Sequence, residues 1–152
     1  MIAKPATIVI RPVGKDERAA WEPLWNGYLA FYNATLAPGA SDVAWQRFHD
    51  PAEPMFLLGA YVEGQLTGIV QYLFHRSSWT PGNYCYLQDL FVADSARGLG
   101  LGRALIEAVY AKAKDPMSGT NPRLGEPGSP AQARHRRSRA SPPLRGRRTG
   151  RS

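Results

Sequence analysis

Cysteine occurs once, at Cys85, so no disulfide can close within the chain, and a disulfide-stapled secreted scaffold is excluded. Cys85 lies in an apolar stretch without an evident base, which reads as a small buried strand residue rather than a nucleophile. No apolar run approaches the ~20 residues that a membrane span needs. The N-terminus also lacks the apolar core of a signal peptide. The expectation is a cytoplasmic protein with no membrane partner. Histidine is scarce: three residues, none grouped with Cys, Asp or Glu at metal-ligand spacing, and no Ser-His-Asp set can be assembled. The site is therefore expected to hold no metal.

Charge of one sign is missing from the bulk of the chain. Residues 1–114 of the 152 carry ten Lys/Arg against ten Asp/Glu. Residues 115–152 carry nine Arg and no Lys, against Asp115 and Glu126, and hold the whole net charge of +7. The balanced part gives no electrostatic reason for a nucleic-acid partner. Only the basic tail does, and it has no aromatic side chain on which bases stack. The tail also contains six Pro, five Gly and five Ser, with no apolar period. Such a composition cannot bury enough surface to offset ordering, so 1–114 is predicted as the folded domain and 115–152 as disordered. Arg, Pro, Gly and Ala have G/C-rich codons. A frameshift near the codon for Lys114 is the expected origin of the tail.

What is there is concentrated between Tyr84 and Lys114. An apolar strand, Tyr84 to Val92, is followed by a short turn and by Arg97-Gly98-Leu99-Gly100-Leu101-Gly102. A helix then places Leu101, Leu105, Ala108 and Val109 on one face. Strand, glycine loop and helix make an anion cradle, because glycines let successive N–H groups converge and the helix dipole adds roughly half a positive charge there. Arg97 adds a planar fork of donors. Spacing narrows the ligand. Counted from Gly98, a dinucleotide G-x-G-x-x-G ends on Arg103, and counted from Gly100 it ends on Leu105. A P-loop also fails, because Arg103 stands where its second glycine belongs.

The motif R-x-x-G-x-G, met by Arg97, Gly100 and Gly102, resembles the acetyl-CoA loop of the GNAT N-acetyltransferase family, whose pattern is Q/R-x-x-G-x-G/A. The preceding Leu87-Gln88-Asp89-Leu90-Phe91-Val92 is similar to that family's fourth strand, closest to the branch of diamine and yeast histone/polyamine-type acetyltransferases. The resemblance covers residues 6 to about 114. It implies an α+β fold with a mixed, largely antiparallel sheet and helices on both faces. The family's fifth strand, fourth helix and closing strands are not legible after the third helix, so the fold is expected to be incomplete there.

The function implied is transfer of acetyl from acetyl-CoA to a primary amine, either a small molecule or a protein lysine. The alternatives are a catalytically inactive acetyl-CoA-binding remnant and a sequence-independent nucleic-acid binder acting through the tail. A homodimer is compatible with the resemblance. By the same resemblance, Arg97, Gly98, Leu99, Gly100, Leu101, Gly102 and Arg103 hold the pyrophosphate. Backbone groups of Leu90, Phe91 and Val92 pair with the pantetheine arm like an added strand. Asp89 and Gln88 are the catalytic candidates. Diamine acetyltransferases carry glutamate where Gln88 stands, and glutamine takes no proton, which moves proton removal toward Asp89 or a water chain. By the two-residue strand period the two side chains face opposite ways.

Upstream, Ala6–Pro12 reads as a strand, and Asp16 as the cap of a helix carrying Trp21, Leu24, Trp25, Tyr28, Phe31 and Tyr32, with Pro23 awkward inside it. Ser41 or Asp42 caps a short second helix. Met55–Glu63 and Leu66–His75 form a hairpin about Gly64-Gln65, and Ser77–Asn83 is a loop to the next strand. In the family the first two helices wall the amine pocket, which draws Tyr28 and Tyr32 toward it. His75, Trp79 and Tyr84 flank the connection between the third and fourth strands, a region that in the family can line the acceptor site.

Overall fold

The computed structural model describes residues 4–114; the tail and the readings made of it lie outside the described residues. Four strands form one sheet in the order β1 (Ile8–Pro12), β2 (Met55–Val62), β3 (Gln65–Ser77), β4 (Thr80–Val92). Every pairing among them is antiparallel, so the parallel element of a mixed sheet is not found among the described residues. Among the described residues three α-helices accompany the sheet, α1 (Arg18–Phe31), α2 (Ala40–Phe48) and α3 (Leu101–Ala113), with a 3-10 turn at Asp94–Ala96. The fold is α+β, as expected.

The central strands β2 and β3 are apolar on both faces because both faces are covered. On one face, Leu57, Tyr61, Leu66 and Ile69 pack against Trp21, Leu24, Trp25 and Tyr28 of α1 and Trp45 of α2. On the other, Leu58, Ala60, Val70 and Tyr72 pack against Leu101, Leu105 and Val109 of α3. Helices thus lie on both faces. Each helix presents the apolar stripe that its 3.6-residue period dictates.

The β2–β3 hairpin turns on Glu63 and Gly64, with φ of 50° and 80°, one residue earlier than the sequence suggests. Positive φ at both central residues matches the strand twist in a tight hairpin, and glycine adopts it at no steric cost. The loop expected over Ser77–Asn83 is instead mostly strand. Ser77 pairs with Thr80, leaving only Ser78 and Trp79 at the tip, and Pro81 is tolerated because β4 is an edge strand among the described residues.

At the start of α1 the cap is Glu17, not Asp16, and it makes no side-chain cap bond. Its carboxylate is occupied elsewhere. Arg11 Nη1 and Nη2 donate to Glu17 Oε2 and Oε1 at 2.9 Å each, the Gly14 N–H at 2.7 Å and the Tyr61 hydroxyl at 3.0 Å. The bond from Arg11 is the main reason why the Glu17 carboxyl is held down at about 2. The α1 helix runs through Pro23, which sits in its second turn. Likewise Gly39, left-handed at φ 80°, precedes α2 where Ser41 or Asp42 was the expected cap.

Candidate active site

The strand β4 delivers the chain to the N-terminus of α3 through Ala93, the 3-10 turn and the glycine loop. Gly98 and Gly100 take φ of 86° and 71°, and Gly100 is the residue before the helix. Among the described residues, the N–H groups of Gly98, Leu99, Gly100, Leu101, Gly102 and Arg103 have no hydrogen-bond acceptor, and the first intrahelical bond at this end is Ala104 N–H to the Gly100 carbonyl at 3.0 Å. The helix has no acidic residue in its first turn and no side-chain cap. Its positive end is therefore not balanced by a side chain of its own first turn.

Gly102 is instructive. A Cβ there would meet only Leu90 Cδ2, at 3.9 Å, an ordinary contact. Neither packing nor a positive φ asks for glycine, and helix propensity disfavours it by about 1 kcal/mol. The absence of a side chain here leaves the backbone open to close approach. Arg97 and Arg103 flank the loop in exposed ion pairs, with Asp94 at 2.9 Å and Glu107 at 2.9 Å. Such pairs are worth little and exchange readily for a better anion.

Upstream of the loop, Leu90 and Val92 side chains pack under α3, while the Phe91 ring lies on the other face against α1. A methyl on Gly27 would come within 2.8 Å of Phe91 Cζ. This contact sets how closely α1 approaches β4.

Register exposes a bulge. Gln71 pairs with Asp89 and Tyr72 with Leu87, so Gln88 is the extra residue on β4. The two-residue alternation does not run through this point, and the expectation that Gln88 and Asp89 face opposite ways by simple period does not describe β4. Leu87 lies on the α3 face, Asp89 on the α1 face, and Gln88 between them is exposed. Asp89 is 8% exposed and Gln71 3%. The Gln71 amide donates from Nε2 to Asp89 Oδ2 at 3.0 Å, and Trp21 Nε1 donates to Gln71 Oε1 at 3.0 Å. Sequence reasoning gave Trp21 to the core and Gln71 no role. The available signal was a lone glutamine in the middle of the apolar β3.

The remaining candidates separate. Tyr28 is buried and its ring lies 4.9 Å from that of Tyr32, which is exposed beside Phe31 at the end of α1. His75 contacts the rings of Tyr84 and Tyr86, and Trp79 stands out at the hairpin tip. The His49 ring lies between two carbonyls, with Nδ1 2.9 Å from that of Trp45 and Nε2 2.9 Å from that of Val13, at the end of α2 beside the chain after β1. Burial pushes the Cys85 thiol up to about 11, which keeps it protonated at neutral pH. Among the described residues no group of three His, Cys, Asp or Glu is placed to hold a metal, and no helix is long and apolar enough to cross a membrane.

The strand β4 thus bulges beside a buried carboxylate and then leads into an open row of amides at the N-terminus of α3. Residues 21–135 match the acetyltransferase (GNAT) family, and the chain belongs to it. The D-amino-acid N-acetyltransferase HPA3 of Saccharomyces cerevisiae is 33% identical over 110 residues, covering 71% of this chain and 68% of the relative. That relative agrees with the yeast branch expected from the strand motif. Solved structures share the fold. A possible acetyltransferase from Clostridium difficile 630 has a TM-score of 0.64 at 16% identity, over 75% of each chain. The aminoglycoside N-acetyltransferase AAC(6')-Iy, solved with CoA, has a TM-score of 0.59 at 17% identity, over 74% of this chain and 72% of its own.

Proposed function

We propose that the chain transfers an acetyl group from acetyl-CoA to the primary amine of a small molecule, in a cytoplasmic setting that suits its single cysteine. The observation that carries this reading is the run of six N–H groups from Gly98 to Arg103 without an acceptor among the described residues, at the positive end of α3. Their number and the space above Gly102 suit a pyrophosphate, and Arg97 and Arg103 stand close enough in sequence to leave their surface pairs for it. When bound, acetyl-CoA supplies the activated thioester. The outer edge of β4 would align the pantetheine arm by strand-like backbone bonds at Leu90 and Val92, and the Leu90 N–H would polarise the thioester carbonyl. The ladder alternation that sends the Ala93 N–H to the Thr67 carbonyl also turns the Phe91 backbone toward β3. Holding the two reactants in this way removes much of the entropic barrier.

Asp89 meets the acceptor ammonium and takes its proton, directly or through water, because Gln88 has no basic atom. Gln88 contributes the bulge that opens the strand beside the reacting carbonyl. The name of the yeast relative makes an amino acid the first acceptor to try, with protein lysine as the other primary amine of the same chemistry. The test is calorimetry with acetyl-CoA, NAD and ATP, followed by thiol release with a panel of D-amino acids, polyamines and lysine peptides. Acetyl-CoA binding with turnover of one amine class is expected. Equal affinity for NAD or ATP refutes the assignment, and binding without thiol release on any amine identifies an inactive acetyl-CoA-binding remnant.

A further inference from the structure

The hydrogen bonds inside the sheet's α1 face fix the polarity of a side chain that the reaction scheme above does not use. An indole N–H can only donate, so Gln71 must turn Oε1 toward Trp21 and Nε2 toward Asp89. Oδ2 of Asp89 is therefore an acceptor. The start of this hydrogen-bond series is set in the core: Trp21 is fully buried, with Trp45, Trp25 and Phe48 rings at 5.0, 5.9 and 6.4 Å. Its far end lies where the backbone ladder of β4 is interrupted, because the register slips between Gln71 and Tyr72 opposite Gln88. A bulge loosens the backbone that would otherwise aim Asp89. The side-chain tie from the core makes up that loss, and a hydrogen bond to a carboxylate is among the stronger ones available.

We propose that Gln71 is a positioning residue, anchored by Trp21, that orients the Asp89 carboxylate toward the acceptor amine. The proposal deepens the function proposed above and rests on Asp89 meeting that amine. It assigns Gln71 a role that a neutral amide fills and a carboxylate cannot. Glutamate at 71 would still accept from Trp21 but would face Asp89 with a second acceptor.

The experiment uses the full 152-residue chain with Gln71→Met, Gln71→Glu, Asp89→Asn and the double variant Gln71→Met/Asp89→Asn. Activity is measured on the best acceptor of the amine panel, and thermal melts check that each variant is folded. Gln71→Met is expected to lower kcat/KM for the amine about tenfold, the scale of one charged hydrogen bond, with the KM for acetyl-CoA within about twofold of the parent. Gln71→Glu should lose more than Gln71→Met. In the Asp89→Asn background the Met substitution should cost less than about twofold further, because the group it positions is gone.

A second readout needs no turnover. Among the four indole N–H resonances, the one lost in Trp21→Phe should move in Gln71→Met and in Asp89→Leu, while the other three stay. Fully additive losses in the double variant, or turnover with an unmoved Trp21 indole, overturn this proposal alone. A parent chain without turnover, or an Asp89→Asn chain as active as the parent, overturns it together with the reading on which it rests.

Discussion

Replacing Gly102 by glutamate should make the protein more stable and unable to bind acetyl-CoA, two changes of opposite sign from one side chain. Gly102 is the second residue of α3, has open space except for Leu90 Cδ2 at 3.9 Å, and lies in a helix with no acidic first-turn residue. Leaving glycine behind in a helix is worth about 0.5–1 kcal/mol. A carboxylate in the first turn adds about 0.3–1 kcal/mol through the dipole. Together these give roughly 1 kcal/mol, a rise of about 4 °C or more in Tm for a domain of this size. The same carboxylate sits where the pyrophosphate is proposed to sit. Two like charges about 4 Å apart near a protein surface repel by about 4 kcal/mol, which is roughly a thousandfold in Kd. Gly102→Ala is the control: it should keep most of the stability gain and bind acetyl-CoA within a few-fold. Differential scanning calorimetry and isothermal titration on the three chains suffice. Parent-like affinity in Gly102→Glu would refute the phosphate seat, and a lower Tm would mean that the fold itself needs this glycine.

Other consequences can be checked alongside. Arg97→Ala should weaken acetyl-CoA binding about tenfold, from one charged hydrogen bond, with no change in Tm beyond about 1 °C, since its pair with Asp94 is exposed. Glu17 has its folded value depressed to about 2, so its contribution to stability is complete above pH ~4.5 and is lost as the pH falls from there toward 2. After allowance for solvent on the Arg11 side this is about 1–2 kcal/mol, and denaturant melts of Glu17→Gln should show that pH-dependent part missing. Gly27→Ala should destabilise by about 1–3 kcal/mol, because its methyl would press on the Phe91 ring at 2.8 Å; an unchanged midpoint would show that α1 can shift away from β4.

The sequence made the strand–loop–helix unit legible because glycine spacing and apolar period are local properties. The Arg97–Gly102 loop and the stripe Leu101, Leu105, Val109 stand where those patterns place them. Strands were found but their ends were not. Pro81 and Gly82 look like a loop, yet an edge strand tolerates both, and β4 begins at Thr80. The bulge at Gln88 left one trace, a break in the apolar alternation between Leu87 and Leu90. Counting by twos reads past it, because the slip itself lies in the pairing of β4 with β3. The same holds for Trp21 and Gln71, fifty residues apart and joined only when α1 lies across β3. Long-range hydrogen bonds between ordinary core positions leave little trace in a single sequence.

The extra residue in β4 has a consequence for anyone who would improve this protein. With Gln88 removed, Leu87 and Asp89 would become neighbours on a regular strand, each still on the face it occupies now. The hydrophobic alternation of β4 is therefore written as if Gln88 were an insertion. A designer optimising for order alone would delete it and expect a straighter ladder and a tougher sheet. Selection that acts on turnover would restore it, because the proposed catalytic geometry depends on the strand parting at that point. Gln88 marks a position where the interests of the scaffold and of the chemistry diverge by one residue.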